Sequence, residues 1–139
     1  LSQALRFSCA RATSVGGPVS LLYVIEPAEF QHWASVGDLM REESRQEAEE
    51  MLSIISAIVQ KRTGKTPLVY IREGVLHEQL MELIEEELGI SLLVLGAATG
   101  TDGPGPLVSY LIQKMAGRLR IPVTVVPGNL TDIEINEIT

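Results

Sequence analysis

Two rhythms of apolar residues alternate along the chain. One returns every three or four positions, the spacing of a single helix face. The other is a short unbroken run bounded by glycine or proline, as in a buried strand. The first helical stripe is Leu1, Leu5, Ser8/Cys9 and Ala12, and Gly16-Gly17-Pro18 ends it. Residues 19–25, VSLLYVI, read as a strand rich in β-branched and aromatic side chains, closed by Glu26-Pro27. Residues 27–38 carry neither rhythm. They are expected to be irregular and hold Phe30, His32 and Trp33. A long helix is expected over 40–63, with Ser44, Ala48, Met51/Leu52, Ile55 and Ile58/Val59 in one stripe. Its charged run from 41 to 50 faces water, and Gly64 stops it.

The second half repeats the alternation. Residues 68–71, LVYI, form a strand, and Arg72-Glu73-Gly74 turns the chain. Leu76, Leu80, Leu83/Ile84 and Leu88 make a helix stripe whose wet side is Glu82, Glu85, Glu86 and Glu87, capped by Gly89. Residues 92–95, LLVL, lie between Gly89 and Gly96 as a buried strand of a parallel sheet. A Gly- and Pro-rich loop follows, then a helix carried by Val108, Leu111/Ile112, Met115 and Leu119 and broken by Ile121-Pro122. Residues 123–126 form the last strand, stopped by Pro127-Gly128, and Thr131 and Glu134 have the spacing of a capping box for a short terminal helix. Strict alternation implies right-handed crossovers: an α/β fold with an open parallel sheet and helices on both faces.

Length and composition narrow the class. With 139 residues the chain is expected to be one domain, 1–139, and 45% hydrophobic content supplies its core. Aromatics are only 4%, so that core is aliphatic. A net charge of -7 argues against binding nucleic acid or an anionic membrane, which calls for clustered Lys and Arg. No apolar run approaches the ~20 residues of a membrane span, and no secretory signal opens the sequence. The single cysteine, Cys9, excludes an internal disulfide and suits a reducing cytoplasm; it is expected as a small buried core residue. Because the sequence opens inside a helix, an upstream segment is expected.

The loop after residues 92–95 is where chemistry concentrates. Strand, Gly-rich loop and helix in that order aim backbone N–H groups outward, toward an anion. Ligands of open parallel sheets sit beyond the carboxyl ends of the strands, where this loop lies. Gly96, Gly100, Gly103 and Gly105 can expose N–H groups, whereas Pro104 and Pro106 each remove a donor. Asp102 would repel phosphate without a metal ion. A tight turn accounts for the same glycines and prolines. His32 and His77 are expected at the surface and make no metal site. The acidic runs Glu42-Glu43, Glu49-Glu50 and 85–87 are solvated helix faces, and no nucleophile–base pattern occurs, so no catalytic residues are assigned. Val123-Thr124-Val125-Val126 is an edge strand with no charge to protect it, which invites pairing with a second copy.

Three segments carry a resemblance. VSLLYVIEP resembles the second strand, IREGVLHEQLMELIEEELGISLLVLG the third-strand turn, helix and fourth strand, and IPVTVVPG the last strand of the universal stress protein family. The resemblance implies a Rossmann-like sheet of order 3-2-1-4-5, whose first strand, ending in an acidic residue, would precede Leu1. It implies a cytoplasmic stress-response or signalling module without catalysis, a homodimer through the last strand, and action through partner binding. The alternative it implies is an ATP-binding member, with magnesium, hydrolysing slowly or not at all. The adenine would then lie against the strand ends at Val24–Ile25 and Leu95–Gly96, and the phosphates against Gly100, Thr101, Gly103, Gly105, Ser109 and Tyr110. The family's phosphate loop reads Gly, two residues, Gly, nine residues, Gly, then Ser or Thr. Here Gly96 matches, Thr99 stands at the second glycine with Gly100 one place late, and Ser109 and Tyr110 replace the final pair.

Overall fold

The structure, a computed structural model, describes residues 1–27, 34–100, 103–115 and 117–139. Helices and strands alternate: α1 (Gln3–Val15), β1 (Ser20–Ile25), α2 (Ala34–Thr63), β2 (Leu68–Glu73), α3 (Leu76–Glu86), β3 (Leu93–Ala97), α4 (Pro106–Tyr110), β4 (Val123–Pro127) and α5 (Asp132–Ile138). A π-helical turn, Leu111–Met115, continues α4. The fold is α/β with parallel strands, as the alternation requires. β1 pairs with β2 from Ser20↔Leu68 to Ile25↔Glu73, and β3 with β4 from Leu93↔Val123 to Ala97↔Pro127. Among the described residues these are two separate two-stranded sheets. The chain correspondingly divides into two compact units, Pro18–Leu83 and Leu1–Gly17 with Ile84–Thr139. No described helix is long and apolar enough to cross a membrane.

In the Pro18–Leu83 unit, α2 packs on β1 and β2. Ile25 and Ala48 are its buried pair, with Tyr23 and Ile71 against them. Glu26 follows β1, and its carboxylate accepts the first N–H of α3, from Leu76, at 3.3 Å. An acidic group at that end also suits the helix dipole. Gly74 N–H donates to Ile25 O at 2.9 Å and joins the two strand ends.

In the other unit, Phe7 of α1, Val126 of β4 and Ile135 of α5 form the core, flanked by Ala4, Ala10, Leu92, Val94 and Leu130. Each of the three buries enough apolar surface to stabilise by roughly 1.5–3 kcal/mol. The helix sits close to the sheet: a Cβ on Gly96 would meet Ala4 Cβ at 3.4 Å. The side chain of Gln3 donates to Leu130 O, and Arg6 pairs with Asp132 at 2.9 Å, so α1 holds the turn into α5 from two points. Thr131 Oγ1 accepts from Glu134 N–H, and Glu134 answers on Thr131 N–H: the capping box read from the sequence is present. Cys9 is buried, 3% exposed.

Several expectations are corrected. The buried positions of α1 are Phe7, Cys9 and Ala12, while Leu1 lies before the helix and is exposed. Helix α2 begins at Ala34, within the stretch expected to be irregular; residues 28–33, with Phe30, His32 and Trp33, lie outside the described residues. Met51 is exposed, since the buried stripe of α2 runs through Ala48, Leu52 and Val59. Arg72 and Glu73 are still paired to β1, so the turn starts at Gly74. Leu88 is 74% exposed, because α3 ends at Glu86. β3 runs through Gly96 to Ala97, and Pro127 still sits in the ladder opposite Ala97. The helix after the loop gives way to a π turn at Leu111. Leu111 is fully buried there, whereas the next residue, Ile112, is 49% exposed.

Candidate functional site

Two features of the Leu1–Gly17 and Ile84–Thr139 unit gather the residues singled out in the sequence. The first is the loop from β3 to α4. Gly96 and Ala97 close β3, and Ala98 N–H donates to Pro104 O at 2.9 Å, which pinches the loop at its base. Gly100, Gly103 and Gly105 have φ of 129°, 91° and 106°, conformations that side chains resist. Among the described residues, a Cβ on Gly100 or Gly103 would meet nothing within 4 Å. Gly105 is the N-cap of α4 and offers no side-chain bond to its first N–H groups, and Pro106 fills the first helical position. Ser109 and Tyr110 follow in α4, both half-buried, with Ser109 N–H bonded to Gly105 O at 3.0 Å. Thr101 and Asp102 lie outside the described residues.

One contact was not legible in the sequence. Thr99, at the position of the family's second loop glycine, lies over Gly128 in the turn after β4. A Cβ on Gly128 would stand 2.8 Å from Thr99 Cγ2 and 3.4 Å from Ala97 O. The loop after β3 and the turn after β4 are thus packed on each other. The only sequence signal was the pairing of a β-branched residue with a glycine at the ends of neighbouring strands.

The second feature is the outer edge of β4. Leu93 N–H donates to Pro122 O at 3.0 Å. In a parallel ladder this turns Pro122, Thr124 and Val126 toward β3, and the N–H and C=O groups of Val123 and Val125 toward the other edge. Among the described residues that edge carries no further strand. Val123, Thr124 and Val125 are half-buried and Val126 is in the core.

Val24 and Ile25, expected beside an adenine, end β1 in the other unit. Ile25 is 4% exposed and packs with Ala48. His77 is half-buried in the first turn of α3. Among the described residues no group of three or more His, Cys, Asp and Glu stands close enough to hold a metal ion.

Comparison with known proteins agrees with this architecture. The model of the universal stress protein family matches residues 2–127. A solved structure of universal stress protein UspA from Lactobacillus plantarum superposes with a TM-score of 0.67 at 20% identity, covering 90% of each chain. A second, hypothetical protein MJ0577, described as a test case of structural genomics, superposes with a TM-score of 0.71 at 19% identity. It covers 94% of this chain and 92% of its own. No curated protein matches the sequence.

Proposed function

Because the chain belongs to the universal stress protein family, we propose that it serves the stress response as a cytoplasmic association module, with no chemical transformation of its own. Its units are homodimers joined by antiparallel pairing of β4 with its copy, and the dimer presents its surface to a protein partner. The observation that carries this reading is the outer edge of β4, where Val123 and Val125 offer unpaired-edge backbone groups within a run that has no charged side chain. Sedimentation of the full chain tests it. The unmodified protein is expected to be a dimer at micromolar concentration and Val125→Lys a folded monomer. A monomeric unmodified protein overturns the reading.

A second reading has its own observation. The backbone of Gly100 and Gly103 and the uncapped start of α4 suit a nucleotide phosphate, with magnesium offsetting Asp102. Thr99, Tyr110 and the donors removed by Pro104 and Pro106 oppose tight binding. Losing two or three charge-assisted bonds, at roughly 1.5–3 kcal/mol each, removes most of the ~7 kcal/mol behind a ~10 μM affinity. Calorimetric titration with ATP and magnesium is therefore expected to show weak binding. A dissociation constant below about 10 μM that Gly100→Val abolishes would move the function to this second reading.

A further inference from the structure

Helix α2 has an outward face that the proposed β4 dimer does not use. Its buried stripe is Ala48, Leu52 and Val59. A second stripe runs through Glu43, Glu47, Met51, Ile54, Ile58 and Lys61, at steps of three and four residues, which places all six along one line of the helix. Met51 is 48% and Ile54 65% exposed, Ile58 is half-buried, and Glu43, Glu47 and Lys61 are exposed. Isolated exposed apolar side chains are ordinary. Here they form the centre of a line that is acidic toward one end and basic toward the other.

That order is its own complement. Glu47 and Lys61 each lie seven residues from Ile54, on opposite sides. A two-fold axis through Ile54 sets a second copy of α2 antiparallel. It brings Glu47 opposite the partner's Lys61 at both ends, about 21 Å apart along the helix at 1.5 Å per residue, and Ile54 against the partner's Ile54. The same axis places the partner's Ile58 opposite Glu50, over a shallow open depression bounded by Gln46, Glu49, Glu50, Ser53 and Ile54. Arg45 and Glu49 bond within the helix at 3.4 Å and lie on the side of α2 away from Ile54, outside the seam. A parallel arrangement would set Glu47 on the partner's Glu47 and Lys61 on the partner's Lys61, so charge selects the antiparallel one.

We propose that this face of α2 is a self-association surface: an antiparallel, two-fold helix pair centred on Ile54 and locked in register by Glu47 and the partner's Lys61. Such an interface is isologous and closes on itself. Two short apolar patches and two ion pairs bury less than a standard interface, so the contact is weak and depends on salt. It stands on α2 alone and does not rest on pairing of β4. A chain with both surfaces assembles beyond the dimer.

Charge exchange tests it, in full chains carrying Val125→Lys so that strand pairing makes no contribution. The parent is expected to self-associate at roughly 100 μM or below. Glu47→Lys and Lys61→Glu, alone, each set like charges across the seam and weaken association at least about tenfold. Mixed in equal amounts the two variants form a heterodimer, because each supplies the charge that the other now needs. Circular dichroism checks that both remain folded; both sites are exposed. Ile54→Cys, oxidised, is expected to give a disulfide-linked dimer, and Gln60→Cys, off the seam, is not. Cys9 is buried and adds little background. A parent that stays monomeric, single variants that associate as the parent does, a mixture no tighter than its components, or equal cross-linking at 54 and 60 overturns the proposal.

Discussion

Thr99 and Gly128 touch across the ends of β3 and β4, where a Cβ on Gly128 would stand 2.8 Å from Thr99 Cγ2. No real Cβ tolerates that distance, and Thr99 is β-branched and short, so it has little room to yield. Gly128→Ala is expected to destabilise the fold by about 1 kcal/mol through local overpacking. Thr99→Gly in the same chain should recover most of that loss. A double-mutant cycle by chemical denaturation reads the coupling, and additive effects of the two changes would show that the residues do not meet.

Arg120, just before β4, closes the end of α3. Its Nη2 donates to Ile84 O at 2.5 Å and Glu87 O at 3.1 Å, and its Nη1 to Ile90 O at 3.1 Å. These carbonyls lie at and beyond the last turn of a helix, where a cation is favoured, and Glu87 O also accepts from Ile90 N–H at 3.1 Å. The side chain is exposed, which moderates the effect. Arg120→Ala is expected to cost about 1–2 kcal/mol, and Arg120→Lys should recover only part of it, because one ammonium cannot span three carbonyls. Denaturant midpoints of the three proteins check the order. An Ala variant as stable as the parent contradicts it.

Glu134 gives the terminal helix a dependence on pH. The N–H of Thr131, and then its hydroxyl, donate to the carboxylate and hold its pKa below the ordinary value. A carboxylate with a lowered folded-state pKa stabilises fully above its unfolded value. That contribution is lost as pH falls through the folded value. The cap of α5 should therefore loosen only in acid, below the ordinary glutamate range. An NMR titration of the Glu134 carboxyl should find its midpoint below that of a free glutamate, and Thr131→Ala should raise it. A midpoint at or above that of a free glutamate would remove this explanation.

Much of the fold was legible because local signals and tertiary packing agree. Thr131 and Glu134 announce a capping box, and nothing distant competes with them. The Leu80, Leu83 and Ile84 stripe of α3 is buried as its spacing demands. What sequence missed depends on distant partners or lies where the helix winding changes. Phe7 is a core residue because Val126 and Ile135, more than a hundred positions away, meet it. Ile112 is half exposed beside a fully buried Leu111, at the point where α4 gives way to a π turn. Met51 looked like core beside Leu52, yet only one of the two can face β1. At the loop, the glycines announced unusual backbone at 100, 103 and 105. The packing of Thr99 on Gly128 had no local signal, since it is made by two loops separated by a helix and a strand.

Amide hydrogen exchange at Val123 and Val125 tests the central claim most directly. Their N–H groups face the outer edge of β4, whereas those of Thr124 and Val126 bond to β3. If the full chain dimerises by antiparallel pairing of this strand, Val125 is protected at concentrations where the dimer prevails. That protection disappears on dilution, or in a chain carrying Val123→Lys, while Val126 stays protected throughout. An amide at Val125 that exchanges like an unpaired edge at every concentration, beside a protected Val126, contradicts the account.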